Sequence, residues 1–594
     1  MRSRLHRVLG ASAWLIALLG ARVAFGQEVE VVLEAEAASG LNSGDNAWVL
    51  MSSAIVLMMT IPGLALFYGG LVRGKNVLSI LMLCFVTAAV VSVTWVLWGY
   101  SIAFGGSGPI WGGIEKLALQ GVSWNAGPDE NIPEQTFMVF QLMFAIITPA
   151  LIVGAIAERM KFSAFLLFVI AWSTLIYAPL AHWVWGEGGW IGARGALDFA
   201  GGTVVHISSG TSALVAAAMI GRRRGFGRDP MPPHNVPFVV IGAALLWVGW
   251  FGFNAGSALA ADGIASIAFV NTNTATGAAV LGWMCSEWIG KGKPTAVGAA
   301  TGAVAGLVAI TPAAGFVEPA ASIAIGAIAG FLCYKACNWK NKVGYDDALD
   351  VVGVHGVGGT WGAIATGIFA SPALSDGGLI WGGNAGQVWT QIVGIGATYV
   401  LCLVGTVVIL GLVNSVVGLR VDDEDEAIGL DLSQHAESAY STGGAGSPIG
   451  ERPVHRERVI VQTATPAGAV GGGSRVPPLR PPVQREAPRS AAPPVTPPAA
   501  AAAPSRNGSA SNKPFRVVVG GLEPNTLARW WRDLCTQDHS KAPQAFRDIY
   551  PNVRSFEGTS FHFRGGDPKL TRDQLAQLLD MYGAHASEVR IEDV

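Results

Sequence analysis

The chain has 594 residues, of which 51 % are hydrophobic and 13 % charged, with a formal net charge of -2. A charged share about half that of soluble proteins excludes a soluble fold over most of the length. The near-neutral balance leaves no electrostatic footprint for nucleic acid. Six cysteines (Cys84, Cys285, Cys333, Cys337, Cys402 and Cys535) show neither CxxC pairs nor a disulfide framework. Cys333 and Cys337, one helical turn apart in an apolar stretch, read as packed small side chains rather than metal ligands.

The N-terminus carries Arg2, Arg4 and Arg7, an apolar run from Val8 to Gly20, and small residues ending Ala24-Phe25-Gly26 before Gln27. The run is short for a membrane span, so residues 1–26 read as a secretory signal peptide, with an uncleaved anchor as the alternative. Apolar windows of spanning length then recur at about 47–70, 77–104, 137–157, 163–183, 203–221, 236–256, 266–289, 295–312, 319–337, 353–370 and 387–415. The pattern predicts an all-α integral membrane protein with eleven transmembrane helices.

Every other connection is basic: Arg73 with Lys75, Arg159 with Lys161, Arg222 to Arg224 with Arg228, Lys291 with Lys293, and Lys335, Lys340 and Lys342. The alternate connections hold only Lys116 and Arg194 as basic residues. The positive-inside rule therefore predicts a mature N-terminus outside and a cytoplasmic C-terminus, in a multi-pass protein of the inner (cytoplasmic) membrane. An odd helix number fits two five-helix repeats of inverted topology plus one further helix. Glycine strings such as Gly353, Gly356, Gly358, Gly359 and Gly362 let backbones approach closely and suit a small permeant.

Beyond the membrane domain, taken as residues 27–420, an acidic run from Asp422 to Glu426 opens a short tail, 421–440. Residues 441–513, rich in Pro, Ala, Gly and Ser, read as a linker that cannot bury a core. A last segment, 514–594, is expected to fold as a small soluble domain. It reads as strand Phe515 to Val519, helix Thr526 to Cys535, extended pieces at Val553 to Phe556 and Phe561 to Phe563, helix Thr571 to Tyr582 and strand Glu588 to Glu592. That β-α-β-β-α-β order predicts an α+β, ferredoxin-like fold.

One spaced pattern occurs in each half of the apolar region: Asp198-x7-His206-x3-Gly210-Thr211 and Asp347-x7-His355-x3-Gly359-Thr360. An ionisable ring at membrane depth is costly, so each histidine marks a functional site by default. Its repetition predicts two structural repeats that each deliver one histidine to a shared pathway. Two facing neutral imidazoles can share one hydrogen bond, and burial is expected to keep both uncharged. Asp198 stands where a carboxylate can cap a helix start. No nucleophile and base pair, phosphate loop or metal cluster stands out, so neither enzymatic activity nor a cofactor is expected.

The segment Asp198-Phe199-Ala200-Gly201-Gly202-Thr203-Val204-Val205-His206 resembles the ammonium transporter (Amt/Mep/Rh) family, Amt type. Matching segments are Gln141 with Phe144 to Thr148, Ala157-Glu158-Arg159, Gly249 to Ser257, His355-Gly356-Val357, and Gly429-Leu430-Asp431-Leu432 to His435. They run in order over about residues 45–440; the remainder is an addition to the family pattern.

The resemblance implies a periplasmic substrate site for ammonium (with methylammonium as an analogue) at Phe140, Phe144, Trp185 and Ser257. It further implies a phenyl gate at Phe144 and Phe253, and a pore lined by His206 and His355 through which ammonia passes. Asp198 is implied to act structurally or electrostatically, and Asp347 and Asp350 to do equivalent structural work. The tail residues Asp431, His435, Glu437 and Tyr440 resemble the region that contacts neighbours in a homotrimer and often a PII-type signalling protein. The extra domain could itself occupy the cytoplasmic mouth. Two other readings are an ammonium sensor signalling through the C-terminal domain, and an Rh-like gas channel for NH3 or CO2.

Overall fold

The structure, a computed structural model, describes residues 40–127 and 130–440, and from the C-terminal segment residues 515–520, 553–557, 560–563, 571–573, 575–576, 579 and 588–593. The expected signal peptide, the linker and the helix at Thr526 to Cys535 lie outside the described residues. The chain divides into two compact units, Met1–Val454 and His455–Val594.

In the first unit, helices follow the apolar windows: α1 Ser43–Leu71, α2 Gly74–Phe104, α3 Glu134–Ile156, α4 Phe162–Trp185, α5 Gly202–Ile220, α6 Val236–Ala258 and α7 Gly263–Lys291. They continue with α8 Ala296–Ile310, α9 Pro319–Val343, α10 (Val352–Gly356 continued by Val357–Phe369) and α11 Ala385–Val417. Among the described residues, nine helices are long and apolar enough to cross a membrane. The other two expected windows correspond to α8, which is apolar but only 15 residues long, and to the two-piece α10.

The helix limits follow from local chemistry. Asn42, Asn235, Asp262, Thr295 and Asn384 each accept a backbone N–H of the first turn, of α1, α6, α7, α8 and α11 respectively. Pro319 sits in the first turn of α9, where its missing N–H costs nothing. Left-handed glycines, Gly292 and Gly344, stop α7 and α9. Helix α3 is the central post, with 94 % of its apolar window buried, whereas α11 lies outermost with 28 %. The helix that carries Phe140 and Phe144 is thus fixed by packing on every side.

Several helices are interrupted by π-helical turns, a geometry that leaves the regular ladder locally unmatched and tends to occur at functional positions. Three bear on the site: Gly202–Ile207 in α5, Phe251–Ala255 in α6 and Val352–Gly356 in α10.

At one end of the bundle, four connections are tied by buried charge. Glu158 pairs with Arg73 at 2.5 Å and with Arg223 at 3.5 Å, while Asp346 pairs with Arg223 at 2.9 Å. Glu158 holds φ at 72°, a left-handed conformation sustained by these partners. The tail packs on the same end as α12 Asp423–Ile428 and α13 Leu430–His435. Asp431 accepts the Ser79 N–H at 2.7 Å, Leu430 N–H donates to Asn76 at 2.8 Å, and Tyr440 OH meets His234 Nε2 at 2.9 Å.

The second unit contains a four-stranded antiparallel sheet of order β2-β3-β1-β4, built from β1 Phe515–Gly520, β2 Val553–Glu557, β3 Ser560–Phe563 and β4 Glu588–Asp593. Val517 pairs with Phe561 on one side and Ile591 on the other. Val517, Val519 and Phe561 are buried, as are Leu575 and Leu579 from the helical segment.

Burial pushes the Glu158 carboxyl up, but Arg73 and Arg223 outweigh it and hold it below the usual carboxylate range. Asp346 is likewise raised by burial and brought below its ordinary value by Arg223. Carboxylates depressed in the folded state stabilise it above their unfolded value of about 4, and that contribution is lost as pH falls through the folded values. The melting temperature of the purified protein should therefore hold steady down to about pH 5 and fall below about pH 4. Glu158→Gln should lower it at neutral pH and flatten the acid fall.

Candidate functional site

The repeated motifs meet at one point. His206 lies in the π-turn that opens α5 and His355 in the π-turn that opens α10, and their Nδ1 atoms stand 3.3 Å apart. Both rings are buried. A single proton can occupy that contact, so one ring donates from Nδ1 and keeps a lone pair on Nε2, while the other accepts and carries Nε2–H.

The glycines of the two motifs account for the approach. A Cβ on Gly210 would lie 2.3 Å from the Gly356 nitrogen, and one on Gly359 would lie 2.9 Å from the His206 Cβ. Each glycine, four residues past its own histidine, makes room for the turn of the other repeat.

Above the histidines the rings form a stack. His206 lies nearly parallel to Phe253 with centroids 6.1 Å apart, and Phe253 packs on Phe144 at 4.3 Å. Phe144 then meets Phe140 at 4.9 Å and Trp185 at 6.0 Å, both edge to face. A cavity of about 200 Å³ opens beyond them, lined by Phe137, Phe140, Gln141, Phe144, Trp185, Phe199, Ser257 and Leu259. Ser257 donates its hydroxyl to the Phe253 carbonyl at 2.8 Å, which leaves its lone pairs as acceptors. The Trp185 indole N–H is committed to the Asp198 carbonyl at 2.9 Å.

Next to the histidines the space shrinks to about 10 Å³, walled by Leu64, Phe67, Ile147, Leu151, Val205, Leu246, Trp250, Phe253 and Val304. That is at the lower limit for one water-sized molecule. His355, Phe67 and Val304 also line a cavity of about 50 Å³ that reaches Asp350, and Asp350 lines a fourth, of about 610 Å³, with Arg223, Glu287 and Lys340. Successive cavities thus share walls from the histidine pair to the charged end of the bundle, while the packed rings of Phe144 and Phe253 stand between the histidines and the aromatic recess.

The three aspartates differ. Asp198 accepts from the N–H groups of Gly201, Gly202 and Thr203 at 2.9, 2.5 and 2.8 Å, from Val204 at 3.3 Å, and from the Thr203 hydroxyl. Its counterpart Asp347 accepts from Val352 N–H at 2.8 Å, and its Oδ1 has no hydrogen-bond partner among the described residues. Asp350 pairs with Lys340 at 2.6 Å.

Sequence reasoning passed over Trp250, whose ring stacks on His206 at 5.5 Å and whose indole N–H donates to Thr311 at 2.9 Å. It also gave no site role to Phe137, Gln141 and Phe199, which line the aromatic recess. A tryptophan three residues before Phe253 was the available signal, because that spacing puts both rings on one helix face.

Fold and site together define a multi-pass helical membrane protein whose two sequence repeats cross at paired histidines. The Ammonium Transporter Family model matches residues 47–440, and the chain belongs to that family. An ammonium transporter of Bacillus subtilis is 52 % identical over 404 residues, covering 67 % of this chain and 99 % of that protein. Ammonium transporter Amt1 of Archaeoglobus fulgidus is 46 % identical over 404 residues, covering 68 % and 100 %. Among solved structures, Mep2 of Saccharomyces cerevisiae matches with a TM-score of 0.63 at 36 % identity, over 69 % of this chain and 94 % of that one. A structure described as a Sensor Amt Protein matches with a TM-score of 0.61 at 30 % identity, over 66 % and 98 %.

Gly210→Ala should destabilise the fold by about 1–3 kcal/mol, as overpacking does, and break the imidazole contact. Gly396→Ala, where an added Cβ meets nothing within 4 Å, serves as control and should leave thermal stability unchanged.

Proposed function

We propose that the chain transports ammonium, capturing NH4+ in the recess of Phe140, Phe144, Trp185 and Ser257 and passing NH3 between His206 and His355. The single observation that carries this reading is the paired Nδ1 contact of 3.3 Å in a space of about 10 Å³. Aromatic faces attract a cation by about 0.5–2 kcal/mol, more as water is excluded. The Ser257 lone pairs accept a hydrogen bond from the same ion. Past the Phe144 and Phe253 gate the walls are apolar, and moving a bare ion into them costs several kcal/mol or more. Ammonium escapes that cost by giving up a proton, which potassium cannot do. The histidines offer NH3 one donor and one acceptor nitrogen. Asp198 holds the start of α5 and contributes negative charge near the recess, while Asp347 and Asp350 serve the inner side.

In the same reading α8 and α10 also cross, giving eleven spans in two inverted repeats plus α11, with a cleaved signal peptide, the outer recess periplasmic and the tail cytoplasmic. The protein works in the inner membrane as a homotrimer, and its cytoplasmic mouth is open to a PII-type protein or to the chain's own C-terminal unit. The sheet order β2-β3-β1-β4 supports a ferredoxin-like fold for that unit. A second reading, ammonium sensing through this unit, is favoured by the likeness to the Sensor Amt Protein. The intact aromatic and histidine positions favour transport.

Uptake of labelled methylammonium into proteoliposomes tests the choice. Wild type and a chain ending at Tyr440 should both take it up, and His206→Ala or His355→Ala should lose about fivefold to tenfold, what one hydrogen bond to NH3 of about 1–1.4 kcal/mol supplies. Absence of uptake by well-folded wild type would leave the sensor. Currents on an ammonium pulse separate net charge movement from gas conduction, since a charge crossing gains about 2.3 kcal/mol per 100 mV.

A further inference from the structure

We propose that Leu259 determines the size of alkylated ammonium ion that the aromatic recess admits, and that Asp45 and Asn131 hold it in place. The inference deepens the capture of ammonium in that recess and rests on it. Among the eight described residues that line the recess, Leu259 is the aliphatic one. The ring walls have little room to move. Phe140 and Phe144 stand on the enclosed α3, the Trp185 indole is tied to the Asp198 carbonyl, and Phe199 packs edge to face on Phe316 at 5.3 Å. A Cβ added at Gly315 would lie 2.1 Å from the Phe199 ring, so that ring is pressed against backbone.

Leu259 sits just past α6, in the connection to α7, with φ at 56° and ψ at 14°. A leucine adopts this left-handed conformation at a cost and keeps it only where its surroundings over-determine it, as they do at ligand clamps. Here the surroundings come from two remote segments. Asn131 Nδ2, in the connection ahead of α3, donates to the Leu259 carbonyl at 2.9 Å and to Asp45 Oδ2 at 2.9 Å. Asp45, in the first turn of α1 and itself buried, accepts the Ala261 N–H on Oδ1 at 2.7 Å. The pair thus grips the chain at 259 and at 261. A glycine would take the same turn freely and leave the recess wider. Leucine at this position instead fixes an isobutyl group in the wall that also holds Ser257. Ring faces attract ammonium ions with or without alkyl groups, so discrimination by size falls to a side chain that crowds the alkyl part. One methylene in an apolar pocket changes affinity by roughly 10–200-fold.

The test is binding of methylammonium and of ethylammonium, one methylene larger, to the purified full chain by isothermal titration calorimetry, which requires no transport. Wild type should bind methylammonium about tenfold more tightly than ethylammonium. Leu259→Gly, which the left-handed backbone accommodates, should bring the two within about twofold, and Leu259→Met should keep the wild-type ratio. Asn131→Ala, which releases the Leu259 carbonyl, should narrow the ratio to about threefold. An unchanged ratio in Leu259→Gly, or equal affinities in wild type, would overturn the proposal and leave ammonium capture standing. A wild-type ratio in Asn131→Ala would overturn the part given to Asp45 and Asn131. Failure of both ions to bind folded wild type would overturn capture and size selection together.

Discussion

Two helix openings that cross within contact distance govern the rest of the molecule. The backbones that carry the two imidazoles come closer than ordinary side chains allow, and Gly210 and Gly359 are where that closeness is permitted. The π-turns of α5 and α10 then aim His206 and His355 at each other instead of along the helix faces. With the contact fixed, Phe253 and Trp250 from α6 can lie against His206, and Phe144 from the enclosed α3 can close over Phe253. The geometry of the paired-histidine site is therefore a consequence of small-residue packing.

That packing sets the electrostatics. A cavity of about 10 Å³ cannot hold the water that would keep a cation solvated, so the penalty for charge comes from tightness and not from any repelling residue. Charged groups gather at the two ends, with Asp198 behind the aromatic recess and Arg223, Glu287, Lys340 and Asp350 around the cavity at the other end. In the proposed transport, capture of the ion and passage of the neutral molecule are thus separated by distance along the cavities.

Much of this was legible in the sequence because the decisive signals are local. The spacing Asp-x7-His-x3-Gly appears twice, and a glycine one turn past a histidine speaks directly to close backbone approach. Helix positions followed apolar windows to within a few residues, and the expected strands coincide with β1 to β4 over most of their lengths. Other features depend on partners remote in the chain. The π-turns have no sequence signature of their own, and α10 reads as one span although it is built from two pieces. The stacking of Trp250 on His206 becomes visible only once α5 and α6 are side by side. The tail was read as a contact for neighbouring subunits and a signalling protein, yet Asp431 and Tyr440 also bind this chain's own Ser79 and His234.

The two aspartates share a spacing to their histidines but not a set of partners. The residue five past Asp198 is Thr203, whose hydroxyl and N–H both donate, whereas the residue five past Asp347 is Val352, which has only its N–H to give. Asp198 is therefore satisfied on both oxygens by the turn it begins. Asp347 receives the N–H on one oxygen, and the Lys340 ammonium beside it is spent on the Asp347 backbone carbonyl and on Asp350. A buried carboxylate with spare acceptor capacity carries an electrostatic cost that a fully capped one does not. The repeats share a backbone plan that joins the histidines, and single side-chain differences make one end a rigid cap and the other a polar network.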